Sequence, residues 1–171
     1  MPGIISRTFQ IKIMKRYIKS FLPDFRTSSG LDASFDLRDF ENEDFICPLK
    51  RGDTGVYIIS ATDGTQYTYP NGQRSPIIYI GKSDDLLRRL KDEHFTKGLK
   101  RLLDNRDFGI AEGIQLASRY QYMFYNGSHV DVFKRRGKQE SKLFESMVLN
   151  QFYQKYRSLP VGNAARSYDN R

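Results

Sequence analysis

Short apolar runs and several amphipathic segments divide this chain into elements. The uninterrupted apolar runs at 56–59 and 77–80 predict two buried core strands. The turn pairs Asp63-Gly64 and Asn71-Gly72 flank residues 66–69. We therefore expect an inserted strand, and with it a hairpin, between the two core strands.

Other segments have apolar residues at helical spacing. Residues 7–21 predict an amphipathic basic helix that Pro23 ends. Ser83 or Asp84 is placed to cap a second helix, whose stripe consists of Leu86, Leu87, Leu90 and His94. Further helices are predicted at 97–103 and 138–156.

The remaining segments complete the predicted fold. Residues 119–125 alternate in polarity and predict a strand, which Asn126-Gly127 turns back into a second strand at 129–133. The mixed Ser, Asp and Glu stretch at 27–48 predicts an arm or linker. The order of elements favours an α+β fold with a small mixed or antiparallel sheet flanked by helices. We expect an N-terminal helical arm and linker over 1–50 and one compact domain over 51–171.

Composition narrows the classes of function. The formal net charge of +8 favours either a polyanion partner such as nucleic acid or a generally basic surface. One cysteine and two histidines are too few for a disulfide framework or a zinc site built on several thiolates. The cysteine usage indicates a reducing compartment, and we expect the cytoplasm of a bacterium or the cytosol in which a phage replicates. No apolar run has membrane-spanning length, so no membrane partner is expected.

Glu145 is the anomalous residue of the long predicted helix. At helical spacing it shares a face with Val148, Leu149, Phe152 and Tyr156. Burying a carboxylate in such an apolar stripe costs on the order of several kcal/mol unless the carboxylate is paired or binds a metal. The helix alone favours a paired structural glutamate, or one that reaches the edge of the stripe, over a metal ligand.

Two strands each place a tyrosine close to a glycine, in Gly55-Val56-Tyr57 and Tyr79-Ile80-Gly81. Taken singly, both tyrosines are typical of a strand in a core. Together with five further features of the chain, the two triplets resemble the GIY-YIG nuclease family over residues 55–163. Those features are Lys82-Ser83, Leu86, Arg89-Leu90, Glu145 and Asn163.

The resemblance implies a domain that hydrolyses phosphodiester bonds with one divalent ion, Mg²⁺ or Mn²⁺, in each active site. Glu145 would be the metal ligand. A hard cation of this kind prefers oxygen ligands and often takes a single protein carboxylate together with water and phosphate.

The resemblance also implies roles for the other residues of the motif. Tyr57 would be the general base on water and Tyr79 its partner or proton relay, or the two roles would be exchanged. Lys82 or the metal would favour the phenolate. Arg89 would clamp the phosphate, and Asn163 would hold the substrate or order its own loop.

Two features depart from the family pattern. The gap between Tyr57 and Tyr79 is longer than in minimal members, and the predicted hairpin fills it. Many members carry a histidine one helix turn after the arginine, whereas here Glu93 occupies that position and His94 comes next. We include His94 among the candidate catalytic residues.

A small chain with added segments at 1–50 and 66–72 resembles the small type II restriction endonucleases of the family. Those cut both strands of double-stranded DNA, as homodimers or by successive nicking. The alternatives are a structure-specific repair or recombination nuclease and a non-catalytic nucleic-acid-binding module. The basic side chains predicted to contact DNA are Lys12, Lys15, Arg16, Lys19, Arg88, Lys134, Arg135, Arg136 and Lys138.

Overall fold

The computed structural model describes residues 31–103, 110–111, 114–115 and 119–164. In this part of the chain the main sheet has four strands, each antiparallel to its neighbours, in the order β1-β8-β2-β5. These strands are β1 Ala33–Asp36, β2 Gly55–Ser60, β5 Ile77–Ser83 and β8 His129–Lys134. The α+β class and the small antiparallel sheet are thus confirmed.

Two short strand pairs accompany the main sheet. The first is the hairpin predicted between the core strands, formed by β3 Tyr67–Thr68 and β4 Arg74–Ser75. The second joins β6 Ile110–Ala111 to β7 Ile114–Gln115. The Asn71 amide donates to the carbonyl of Lys155 at 2.7 Å, which ties the hairpin turn to the end of the long helix.

The helices begin with a 3-10 turn at Leu37–Glu41. A π-helical segment, Arg88–Lys97, is followed directly by α1, Gly98–Leu103. The remaining helices are α2 Arg119–Tyr125, α3 Gly137–Tyr156 and α4 Val161–Ala164. None of the described helices is long and apolar enough to cross a membrane.

The sheet is covered on both faces, which explains the uninterrupted apolar run of β2. Tyr57 and Ile59 point to one face, where they join residues of the π segment, α1 and α2 such as Leu90 and Met123. Val56 points to the other face, against α3. Because neither face of β2 meets water, the side chains of Val56, Tyr57, Ile58 and Ile59 are apolar or aromatic on both faces.

The stretch at 119–125 is a helix, so the predicted strand is wrong. The aromatic residues of this stretch have high strand propensity, but propensity is a weak constraint when a helix buries the same residues. Its buried positions are Tyr120, Met123 and Phe124. That spacing of three and four residues places them on one helical face.

The predicted arm or linker at 27–48 is wrong for the part that the structure describes. Ala33–Asp36 is an edge strand in register with β8, with Ala33 opposite Val132. Its side chains alternate between buried and half-buried positions, as expected for a strand at a sheet edge. The sheet therefore begins before residue 51. The predicted helix at 7–21 lies outside the described residues.

Aromatic packing fixes this early segment against the π segment. The Phe40 and Phe95 ring centroids lie 6.0 Å apart, and Phe35 packs against Phe40 at 5.7 Å. The Arg38 guanidinium donates to the carbonyl of Phe124 at 2.9 Å. The edge strand and the 3-10 turn are thus part of the same core as the helix that bears Arg89.

The cap of the π segment differs from the prediction in detail. The Asp85 carboxylate accepts from the backbone N–H of Arg88 at 2.9 Å, while the Ser83 hydroxyl accepts from the N–H of Asp85 at 3.0 Å. Ser83 therefore orders the turn, and the side chain that caps the Arg88 N–H is that of Asp85 rather than that of Ser83 or Asp84.

Candidate active site

The two motif tyrosines lie side by side on one face of the sheet. Tyr57 is opposite Gly81 and Tyr79 is opposite Ile59 in the antiparallel pairing of β2 with β5. The two ring centroids are 5.9 Å apart, and both residues are fully buried. The strand register therefore brings together two side chains that are 22 positions apart in the sequence.

Because Gly81 has no side chain, the rings of Tyr57 and Tyr79 can occupy the space beside it. A Cβ at this position would lie 2.5 Å from Cε1 of Tyr79 and 2.8 Å from Oη of Tyr57. Any other residue would displace both rings, which are held in a packed core. The glycine beside the second tyrosine is thus explained by close approach.

The π segment adds Arg89 and His94 to the tyrosines. His94 Nε2 is 2.6 Å from the Tyr57 hydroxyl, and Arg89 Nε donates to the same hydroxyl at 3.3 Å. A π-helix pairs residue i with residue i+5, so residues five apart lie on one side of it. This geometry brings His94 to Tyr57 although it is one position beyond the place where many family members carry their histidine.

Arg89 remains positively charged at this site. Burial by itself would lower the pKa of its guanidinium. The negative charge of an ionised Tyr57, and hydrogen bonds to Tyr57 and Glu93, raise that pKa above its ordinary value. A permanent cation therefore lies beside the Tyr57 hydroxyl.

Access to the cluster is limited. Tyr57 and Tyr79 have no exposed surface and His94 is 1% exposed, whereas the Arg89 side chain is 22% exposed. Of these four side chains Arg89 is the most accessible. A substrate oxyanion would therefore meet Arg89 before it met the tyrosine hydroxyl.

Asn163 holds the edge of β5. Its amide oxygen accepts from the backbone N–H of Ile80 at 2.9 Å, and its amide nitrogen donates to the Ile80 carbonyl at 2.7 Å. Among the described residues β5 is an edge strand of the sheet, so no other described strand pairs with these two backbone groups on that side. Of the two predicted roles of Asn163, the observed hydrogen bonds are those of a residue that orders the chain.

Asn163→Ala is expected to lower the free energy of unfolding by about 1–3 kcal/mol, the cost of leaving buried polar groups unpaired. Asn163→Asp should cost more at neutral pH, because a carboxylate would face the Ile80 carbonyl. That excess should shrink at acid pH, where a protonated carboxyl can donate. Urea unfolding at both pH values measures this, with Asn150→Ala on the exposed face of α3 as the control. Equal losses for Asn163→Ala and Asn150→Ala would contradict it.

Lys82 and Glu145 belong to the opposite face of the sheet. Lys82 is opposite Val56, whose side chain packs on the α3 side, and Glu145 lies half-buried on α3 itself. The Tyr57 ring points to the other face. Lys82 and Glu145 can share a site with Tyr57 and Tyr79 only beyond an edge or an end of the sheet. That they form one site therefore stays a prediction.

Glu145 is the carboxylate to which the resemblance assigns the divalent cation. Within the described residues no group of three or more His, Cys, Asp or Glu side chains could hold a metal. Zinc sites of proteins need such a group, whereas Mg²⁺ keeps several waters and uses one or two carboxylates. A single half-buried carboxylate on a buried helix face is compatible with the second kind of site.

Several predicted DNA-contacting side chains have partners within the chain. Lys134 forms an ion pair with Asp53 at 2.8 Å, and the Arg135 guanidinium lies over the Phe144 ring at 3.8 Å. Lys138 approaches Asp84 at 3.7 Å, with both side chains exposed. Arg136 is exposed as well, and Lys12, Lys15, Arg16 and Lys19 lie outside the described residues.

Sequence reasoning missed two charged residues at the site. Glu93 contacts the guanidinium groups of both Arg88 and Arg89. Arg119 of α2 lies over the Tyr79 ring with its Cζ 5.3 Å from the centroid. The comparison with the family pattern noted Glu93 only as the residue at the position where many members have a histidine. The predicted strand at 119–125 gave no reason to place Arg119 near the tyrosines.

No family model, curated protein or solved structure matches this chain. The resemblance to the GIY-YIG family therefore rests on the motif residues of the sequence.

Proposed function

We propose that the chain is a GIY-YIG-type endonuclease that hydrolyses phosphodiester bonds in double-stranded DNA. The observation that carries this proposal is the Tyr57 hydroxyl, which is fully buried and contacted by both His94 and Arg89. A core tyrosine needs one hydrogen-bond partner. A hydroxyl between an imidazole nitrogen and a guanidinium is arranged to lose its proton.

The proton path supports Tyr57 as the general base. A tyrosine with an ordinary pKa near 10 is a poor base at neutral pH. When His94 is neutral and bears its proton on Nδ1, its Nε2 accepts the Tyr57 proton, and the Arg89 cation favours the oxygen anion that results. Tyr57 can then accept a proton from water as His94 holds the first one.

Arg89 has a second role in this proposal. Its Nε contacts Tyr57, while its Nη1 contacts the partly exposed carboxylate of Glu93. A guanidinium binds two oxygens of a phosphate in a fixed geometry and offsets charge that grows in the transition state. Arg89 would thus align the scissile phosphate with the water that Tyr57 activates.

Glu145 would hold one Mg²⁺ or Mn²⁺ ion. When bound, such an ion polarises the phosphate and stabilises the leaving oxygen. The small type II restriction endonucleases of the family are similar in build, so site-specific cleavage by a homodimer or by successive nicking is the specific form that we propose.

Digestion of plasmid DNA with Mg²⁺ tests the proposal, with a Tyr57→Phe preparation purified in parallel to exclude contaminating nucleases. Discrete linear fragments support a site-specific endonuclease. Preferential cutting of branched over linear duplex would indicate a repair or recombination nuclease. Binding without cleavage in either metal would overturn the enzymatic proposal and favour a non-catalytic module.

The predicted N-terminal basic helix gives a separate prediction about DNA binding. Each phosphate contact contributes about −0.9 to the slope of log affinity against log salt concentration. Replacing Lys12, Lys15 and Lys19 by alanine should flatten that slope by roughly one to three units and weaken binding to all sequences alike. Fluorescence anisotropy across salt concentrations measures the slope. An unchanged slope would assign DNA binding to other residues, of which exposed Arg136 and Lys138 are candidates.

A further inference from the structure

Three charged side chains converge at the beginning of the π segment. One carboxylate oxygen of Glu93 contacts the Arg88 guanidinium, and the other contacts the Arg89 guanidinium. Glu93 and Arg89 have 21% and 22% of their side-chain surface exposed, and Arg88 has 51%. Both oxygens of a single carboxylate are therefore engaged by consecutive arginines.

The π geometry makes this arrangement possible. Glu93 follows Arg89 by four positions and Arg88 by five. In a regular α-helix, positions three and four apart are neighbours. The i to i+5 pairing of a π-helix also brings the residue five positions away onto the same side. Two adjacent arginines can thus face one acidic residue.

The carboxylate occupies a position suited to a phosphate. A carboxylate and a phosphate each offer a pair of anionic acceptor oxygens to guanidinium groups. Burial by itself would raise the pKa of Glu93, but hydrogen bonding to Arg89 and the charges of Arg89 and Arg88 lower that pKa overall. Glu93 is therefore an anion at neutral pH. Without an anion between them, the two guanidinium groups would repel each other.

We propose that Glu93 is an internal ligand of the Arg88–Arg89 pair, which a phosphate of the substrate displaces on binding. This inference rests on the proposed function for the identity of its ligand. The contact between Arg89 Nε and Tyr57 does not involve Glu93, so displacement frees the terminal nitrogens of Arg89 while its link to Tyr57 remains. The site thus binds a phosphate only when that phosphate outcompetes a carboxylate already held there.

Glu93→Gln tests the displacement, because it keeps the shape of the side chain and removes its charge. Inorganic phosphate should raise the melting temperature of this variant more than that of the wild type, since it binds the folded state. Its apparent affinity for phosphate should rise about fivefold or more, as expected for the loss of two competing ion pairs. The affinity for a 30-base-pair duplex in EDTA (a length of about three helical turns) should rise in parallel.

Asp92→Asn is the matched control. Asp92 is the preceding residue of the same helix, and its carboxylate contacts Arg51 at 3.2 Å. Asp92→Asn changes the net charge by the same amount as Glu93→Gln. An equal gain in phosphate affinity in both variants would show that the gain comes from net charge alone, and would overturn the proposal. If Glu93→Gln does not fold, Glu93→Asp carries the test, and it should show a smaller gain of about twofold because its shorter side chain weakens both ion pairs.

An affinity for phosphate that is unchanged or lower in the Glu93 variants would also overturn the proposal, since a purely structural ion pair predicts that result. The two proposals fail separately. Wild-type protein that binds duplex and never cleaves it overturns the enzymatic function, whereas cleavage by wild-type protein without a phosphate gain in Glu93→Gln overturns only the role of Glu93.

Discussion

Glu145→Ala is expected to abolish Mg²⁺-dependent cleavage of duplex DNA while duplex binding persists in Ca²⁺ or EDTA. The resemblance assigns the metal to this carboxylate, and no cluster of acidic and histidine side chains within the described residues could replace it. Mg²⁺ sites that depend on one carboxylate lose the ion when that carboxylate is removed. Single-turnover cleavage and anisotropy of the same labelled duplex separate the two effects.

Glu140→Ala is the control for this loss. Glu140 is the other carboxylate of α3, and it is exposed near the beginning of the helix, where it accepts from the N–H of Arg136 at 2.9 Å. Cleavage by Glu145→Ala at a rate close to that of Glu140→Ala would show that the metal assignment is wrong. Glu145 would then be a structural glutamate of the stripe, which is what the helix alone favours.

Tyr57→Phe is expected to lower the single-turnover cleavage rate at least about a hundredfold, the lower end of the effect of a general base. The variant keeps the ring that packs over Gly81 and removes only the oxygen that His94 and Arg89 contact. It leaves a buried imidazole nitrogen without this partner, so the free energy of unfolding should also fall by about 1–3 kcal/mol. Rate and stability are measured on the same preparation.

Tyr69→Phe separates the catalytic effect from the stability effect. Tyr69 is a buried tyrosine of the hairpin, and its hydroxyl accepts from the N–H of Val161 at 3.3 Å. Burial raises the pKa of Tyr69, so it stays neutral and outside any proton path. Comparable rates for Tyr57→Phe and Tyr69→Phe would return Tyr57 to the role of a core residue. A large loss in Tyr79→Phe as well would indicate that both motif tyrosines share one proton path.

Local patterns in the sequence were sufficient for several elements. The core strands are uninterrupted apolar runs, turn residues bound the inserted hairpin and precede the strand at 129–133, and the long helix has apolar residues at helical spacing. Each of these elements is present in the structure. The segments at 33–36 and 119–125 were predicted wrongly because their conformation depends on distant partners. The first is a strand only because β8 offers it hydrogen bonds, and the second is a helix because Tyr120, Met123 and Phe124 bury one helical face.

The features of the candidate site also divide into those that the sequence predicts and those that depend on tertiary packing. Residue types and spacing were enough to single out Tyr57, Tyr79, Arg89 and Asn163, because a motif is a pattern in sequence. The contact of Asn163 with Ile80, the engagement of Glu93 by two arginines, and the position of Arg119 over Tyr79 depend on packing between separate elements.

His94 shows most clearly what only the tertiary structure decided. Counted along a regular helix, it lies one residue beyond the place where the family carries its histidine. The predicted stripe with Leu90 already places His94 on the buried side of its helix, but only the packing of the π segment between the sheet and the aromatic side chains of the early segment brings its Nε2 to the Tyr57 hydroxyl. A π-helix is rare and has no reliable local signal, because its wider turn is stabilised by the contacts that it makes rather than by the propensities of its residues. The sequence by itself determined which residues are available for chemistry, and the packing around the helix determined which of them meet.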